Sequence, residues 1–116
     1  MPYITTDKVK EIRNELKSQF PKFKFSVVRG DYSSVNVAVL NGPVDFGTEY
    51  ESVNKYWIKD HWADRPEALE FLLKVNEIIS RDVKEESYDY DYGSWPNYYY
   101  SIEIGKWNKP YTNSKK

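Results

Sequence analysis

A length of 116 residues allows one domain with a genuine core, and an aromatic fraction of 17% lets a few large rings fill much of it. The absence of cysteine excludes disulfides, cysteine nucleophiles and thiolate zinc sites. The net charge of −1 hides a gradient. Residues 1–30 hold seven basic residues against three acidic ones, and residues 82–92 hold one against five. A strong non-specific DNA binder needs an overall basic excess that this chain lacks.

In chain order, residues 5–20 read as a helix. Thr5 or Thr6 can cap it, and with Thr5 as the cap Ile4 and Val9 stand at hydrophobic-staple positions. Val9, Ile12, Leu16 and Phe20 form its apolar stripe, and Pro21 ends it. Residues 22–29 alternate, with Phe23, Phe25 and Val27 on one face. Residues 34–40 alternate again around Val35, Val37 and Val39. The short polar loop between them predicts an antiparallel hairpin, and Asn41-Gly42-Pro43 stops its second strand.

Residues 43–63 show no clean period, and a short helix around 54–62 is expected there. A stronger helix follows. Asp64 and Glu67 match a capping box, with Pro66 tolerated in the first turn. Ala68, Leu72, Val75 and Ile79 form its stripe, widened by Leu69, Phe71, Leu73 and Ile78. Residues 84–97 read as an acidic loop. Residues 98–105 read as a third strand, with Tyr98, Tyr100, Ile102 and Ile104 on one face. The expected fold is α+β, in the order α-β-β-α-α-β, with helices on one face of a small three-stranded antiparallel sheet. Residues 1–111 form the single domain, and residues 112–116 a flexible tail.

Motifs for catalysis are missing. The only histidine, His61, lies beside Asp60 and Asp64, but no second histidine or cysteine can complete a zinc site. The run Asp89-Tyr90-Asp91-Tyr92-Gly93 fails as a calcium loop, because its glycine comes at the fifth position and a tyrosine stands at the twelfth. Nucleophile elbow, phosphate loop and dinucleotide fingerprint are all lacking. The expectation is a non-enzymatic chain with no catalytic residue, no metal and no cofactor.

The stretch that calls for a function is aromatic. Between Tyr88 and Tyr111 stand seven tyrosines and two tryptophans. Tyr98 and Tyr100 are explained by a core strand. Tyr88, Tyr90, Tyr92 and Trp95 are too dense for one loop to bury and are the candidate partner-binding residues. The acids among them repel phosphates and favour a protein partner. The alternative is single-stranded nucleic acid held by Lys10, Lys17, Lys22 and Lys24. Homodimerisation through an exposed sheet edge is a further arrangement open to this fold. No apolar run approaches membrane-spanning length, and the first residues hold no apolar signal core. A cytoplasmic protein without membrane association is therefore expected.

Three patches carry a family resemblance. The first is Glu11-Ile12-Arg13-Asn14-Glu15-Leu16-Lys17 leading into Phe20-Pro21-Lys22-Phe23-Lys24-Phe25-Ser26-Val27. The second is Ser34-Val35-Asn36-Val37 with Asn41-Gly42-Pro43. The third is Asn97-Tyr98-Tyr99-Tyr100 running into Ile104-Gly105-Lys106-Trp107-Asn108-Lys109-Pro110-Tyr111. Together they resemble the large polyvalent protein-associated domain 29 group, small domains of phage and plasmid proteins. Residues 44–64 lie outside the resemblance. It implies a mobile-element setting, in DNA transfer or in countering host defence, and supplies no catalytic residues.

Overall fold

A computed structural model describes residues 4–30, 33–83, 85–89, 93–96, 98–106 and 108–114, with the backbone alone for 85–89 and 93–96. Helix α1 spans Thr6–Gln19. Its cap is Thr5, whose hydroxyl accepts from the Lys8 amide at 3.0 Å, and both staple residues, Ile4 and Val9, are buried. Strands β1 (Lys24–Arg29) and β2 (Ser34–Gly42) form the expected antiparallel hairpin, with Val27 opposite Val37. Val35, Val37 and Val39 are sealed from solvent, as period-two alternation requires of an inward face.

The middle of the chain supplies β3 (Glu51–Val53), the short α2 (Ile58–His61) and α3 (Pro66–Ser80). The expected capping box at α3 is not formed. Arg65 occupies the cap position, no side chain caps the helix, and Asp64 lies one residue too early. The reason is Pro66. Its ring keeps the preceding residue out of helical backbone, so Arg65 takes φ −131° and ψ 78° and the helix begins after it.

Residues 84–97 are not simply a loop. Glu85–Asp89 and Gly93–Pro96 pair as an antiparallel hairpin, β4 and β5. Strand β6 (Tyr99–Ile104) and the two-residue β7 (Thr112–Asn113) complete the fold. The main sheet therefore departs from the three-stranded antiparallel expectation. It has five strands and is mixed, in the order β1-β2-β6-β3, with β7 also on β2. β6 runs parallel to β2, and β3 runs antiparallel to β6. The long connection from β2 to β6 explains the difference. It carries the chain through two helices and back to the end of the sheet where β2 started, which a tight turn cannot do. β7 pairs parallel with Asn41 and Gly42, so Thr112 and Asn113 belong to the sheet rather than to a loose tail.

The core lies where α1 and α3 meet the sheet. Phe71 of α3 stacks on Phe23 with ring centroids 4.1 Å apart and meets Phe20 edge-on at 4.9 Å. Phe46 and Trp62, from the stretch without a period, are both buried and join the same core. Two ion pairs tie α1 to the end of α3: Arg81 with Glu15 at 2.6 Å, and Lys8 with Asp82.

Candidate functional site

Two tyrosines of the aromatic stretch do structural work. The Tyr98 hydroxyl donates to the Ile79 carbonyl at 2.5 Å, satisfying a carbonyl in the last turn of α3 that has no partner within the helix. Tyr111 Oη lies 2.6 Å from the Val44 carbonyl and 3.0 Å from that of Gly42, sharing one proton between them. Both side chains are buried, and burial pushes each phenol up to about 12.

Tyr99 behaves differently. It points away from the face shared by Tyr98 and Tyr100 and is 47% exposed. Two further rings stand out from the surface in the turn between β3 and α2: Tyr56, 82% exposed, and Trp57, 54% exposed. The Asn54 side chain accepts from the Tyr56 amide at 3.1 Å, and its carbonyl accepts from the Trp57 amide at 3.0 Å. That turn takes the chain off the sheet and leaves consecutive rings with no core to enter.

Lys55 joins these groups. Its ammonium donates to the Tyr100 carbonyl at 2.8 Å and sits 3.9 Å from the centre of the Tyr100 ring. Partial burial holds its pKa below the usual lysine value. The Tyr100 hydroxyl in turn donates to Asn76 Oδ1 at 2.6 Å, locking the ring against α3. An open cleft of about 440 Å³ runs along this edge, lined by Lys55, Tyr56, Ser80, Val83 and Tyr98–Tyr100.

The residues expected from the sequence fall as follows. Tyr90 and Tyr92 lie outside the described residues. Tyr88 and Trp95 are in β4 and β5, where the backbone alone is described. Lys10, Lys17, Lys22 and Lys24 are all exposed, on α1, in the turn after it and at the start of β1. His61 is exposed at the end of α2, and no group of three metal-ligating side chains occurs among the described residues. No helix among them is long and apolar enough to cross a membrane. Tyr56, Trp57 and Tyr99 were not among the expected contact residues. The signal for the first two was present: adjacent large rings beside Lys55 and Lys59, in a stretch with neither helical nor strand period, cannot both face one core.

One edge of the main sheet is guarded. Arg13 of α1 donates to the Val27 carbonyl at 2.6 Å, occupying a backbone acceptor of edge strand β1. This blunts the edge on which a second copy would pair.

A family model described as large polyvalent protein associated domain 29 matches residues 3–105. The match spans the middle stretch that carries Lys55, Tyr56 and Trp57, and it ends at Gly105, before the Lys106–Tyr111 run. No curated protein and no solved structure matches the chain at a significant level.

Proposed function

Because the chain belongs to the large polyvalent protein associated domain 29 family, we propose that it serves as a non-enzymatic interaction module of a phage or plasmid protein, contacting a protein partner through exposed aromatics. The observation that carries this reading is the exposure of Tyr56, Trp57 and Tyr99, with Tyr56 and Tyr99 lining one cleft with Lys55 and Trp57 next to them in the chain. Large rings with a polar tip, left in water, are the residues that anchor protein interfaces. The surface extends in this reading onto Tyr88 of β4 and Trp95 of β5, the strands that precede β6 in the chain, and onto Tyr90 and Tyr92, which lie between them in sequence. The acids of this stretch of sequence, Glu85, Glu86, Asp89 and Asp91, favour a protein over a phosphate backbone.

The test is a double substitution, Tyr56→Ser with Trp57→Ser, in the full chain. Both side chains are exposed, so stability should move by no more than about 0.5 kcal/mol. A partner retained by the unaltered chain, from cells carrying the element, should be lost by the variant and also by Tyr90→Ala with Tyr92→Ala and Trp95→Ala. Undiminished retention by the Tyr56/Trp57 variant defeats the proposal.

A second reading rests on a separate observation. Lys10, Lys17, Lys22 and Lys24 are exposed, and none joins an ion pair among the described residues. Such ammonium groups suit single-stranded nucleic acid, and affinity would then fall steeply with salt. A gel shift with an oligonucleotide at low salt decides it: no complex removes this reading.

A further inference from the structure

The edge of β6 next to Lys55 is an unfinished ladder. β3 pairs with β6 antiparallel, Glu51 opposite Ile104, Ser52 opposite Glu103 and Val53 opposite Ile102. Continued for two residues, that register sets Lys55 opposite Tyr100. The chain leaves the sheet instead, at the Asn54 turn, so Lys55 contributes a side chain where the ladder would have a backbone. Its ammonium donates to the Tyr100 carbonyl at 2.8 Å, in the place of a strand N–H.

Backbone groups on β6 alternate in direction. The Tyr99 amide donates toward β2, to the Ser33 carbonyl at 2.7 Å. The N–H and C=O of Tyr100 therefore point the other way, to the side where β3 has ended. Among the described residues no strand occupies that side of Tyr100. The cleft beside it, of about 440 Å³, is lined by Val83, Tyr98 and Tyr100, which give it an apolar and aromatic wall.

Charge defines the chemistry of the occupant. Among the described residues Lys55 is the one charged residue lining this cleft, and no carboxylate among them pairs with it. Its ammonium is held by a carbonyl and a ring face, both neutral. An incoming backbone that takes the Tyr100 carbonyl displaces this ammonium, and a carboxylate on the same segment receives it.

We propose that the outer edge of β6 at Tyr98–Tyr100 accepts an extended, carboxylate-bearing segment of a protein partner as an added strand, with the Lys55 ammonium passing from the Tyr100 carbonyl to that carboxylate. This rests on the interaction reading above and gives it a binding mode. Main-chain pairing supplies affinity, and the cleft and Lys55 supply selectivity, as in other strand additions.

The probe is a displayed library of random dodecapeptides, selected on the full chain. Selected peptides should carry Asp or Glu at a fixed position. Their affinity should fall about tenfold or more on Lys55→Met, equivalent to roughly 1.4 kcal/mol, and recover on Lys55→Arg. Hydrogen exchange of the Tyr100 amide should slow at least about tenfold when the peptide is bound, which a side-chain contact would not cause. If Lys55→Met fails to fold, Lys55→Gln takes its place. Peptides that depend on Trp57 but leave Tyr100 exchange unchanged, or that bind Lys55→Met equally well, overturn strand addition and leave the aromatic surface standing. A selection that yields no peptide dependent on Trp57 or Lys55 overturns both.

Discussion

Leu72→Ala is expected to cost about 2–5 kcal/mol of folding stability, the range for deleting a sealed leucine and leaving a cavity. Leu72 stands in the middle of α3, has no solvent exposure and belongs to the central cluster with Val35, Val37, Ile102 and Ile104. Its environment is made of elements distant in sequence, so the surroundings cannot collapse onto the gap by moving one loop. A domain of this size is stabilised by about 5–15 kcal/mol in total, so the variant should be close to unfolding at ordinary temperatures. Urea titration checks it. The matched substitution Leu73→Ala, at a partly buried neighbour, should cost clearly less. Equal losses at the two positions would mean that α3 does not present the face described.

The second large effect is alkaline. An unfolded tyrosine releases its proton near pH 10, whereas Tyr98 and Tyr111 hold theirs to about 12 in the folded protein because burial disfavours the phenolate. Between those values the folded state binds more protons than the unfolded state. Stability is therefore full below pH 10 and falls as pH rises toward 12, by up to roughly 1.4 kcal/mol per pH unit for each tyrosine. Urea midpoints across this range should drop steeply. Tyr98→Phe and Tyr111→Phe should each flatten the drop while lowering stability at neutral pH, since each leaves a buried carbonyl without its donor. An unaltered slope in both variants would show that other groups drive the alkaline loss.

Most local features were legible because they are written in nearest neighbours. Thr5 before an amphipathic stripe, Pro21 after it, and valines alternating through residues 35–39 each specify backbone state without outside help. The third strand was legible for the same reason: Tyr98, Tyr100, Ile102 and Ile104 alternate inward. The start of α3 lies one residue beyond the cap that Asp64 offers, since Pro66 dictates the backbone before it. The hairpin at residues 85–96 was hidden by its acids, which read as a solvated loop until two segments are seen to pair.

The proposed interaction surface divides in the same way. The density of aromatics around residues 88–100 was plain in the sequence, and so was the impossibility of burying all of them in one loop. Tyr98 and Tyr100 were legible as core by strand alternation, whereas the structural role of Tyr111 was not. The carbonyls these buried rings reach, Ile79 for Tyr98 and Val44 with Gly42 for Tyr111, are brought to them only by the tertiary fold. Gly105 takes φ +72°, and a side chain there would also strike the Glu49 carbonyl, so glycine is required by a contact between parts of the chain more than fifty residues apart.

The sequence by itself determined the helices α1 and α3, the inward faces of β1, β2 and β6, and the lack of cysteine chemistry, because these depend on periodicity and residue type alone. Tertiary structure decided strand order and direction, the mixed sheet, the anchoring of residues 112 and 113, and the position of Lys55 over the Tyr100 carbonyl. Those depend on which distant segments meet. Side-chain periodicity is the same for parallel and antiparallel neighbours, so a strand's pattern names the face it buries and not the strand beside it.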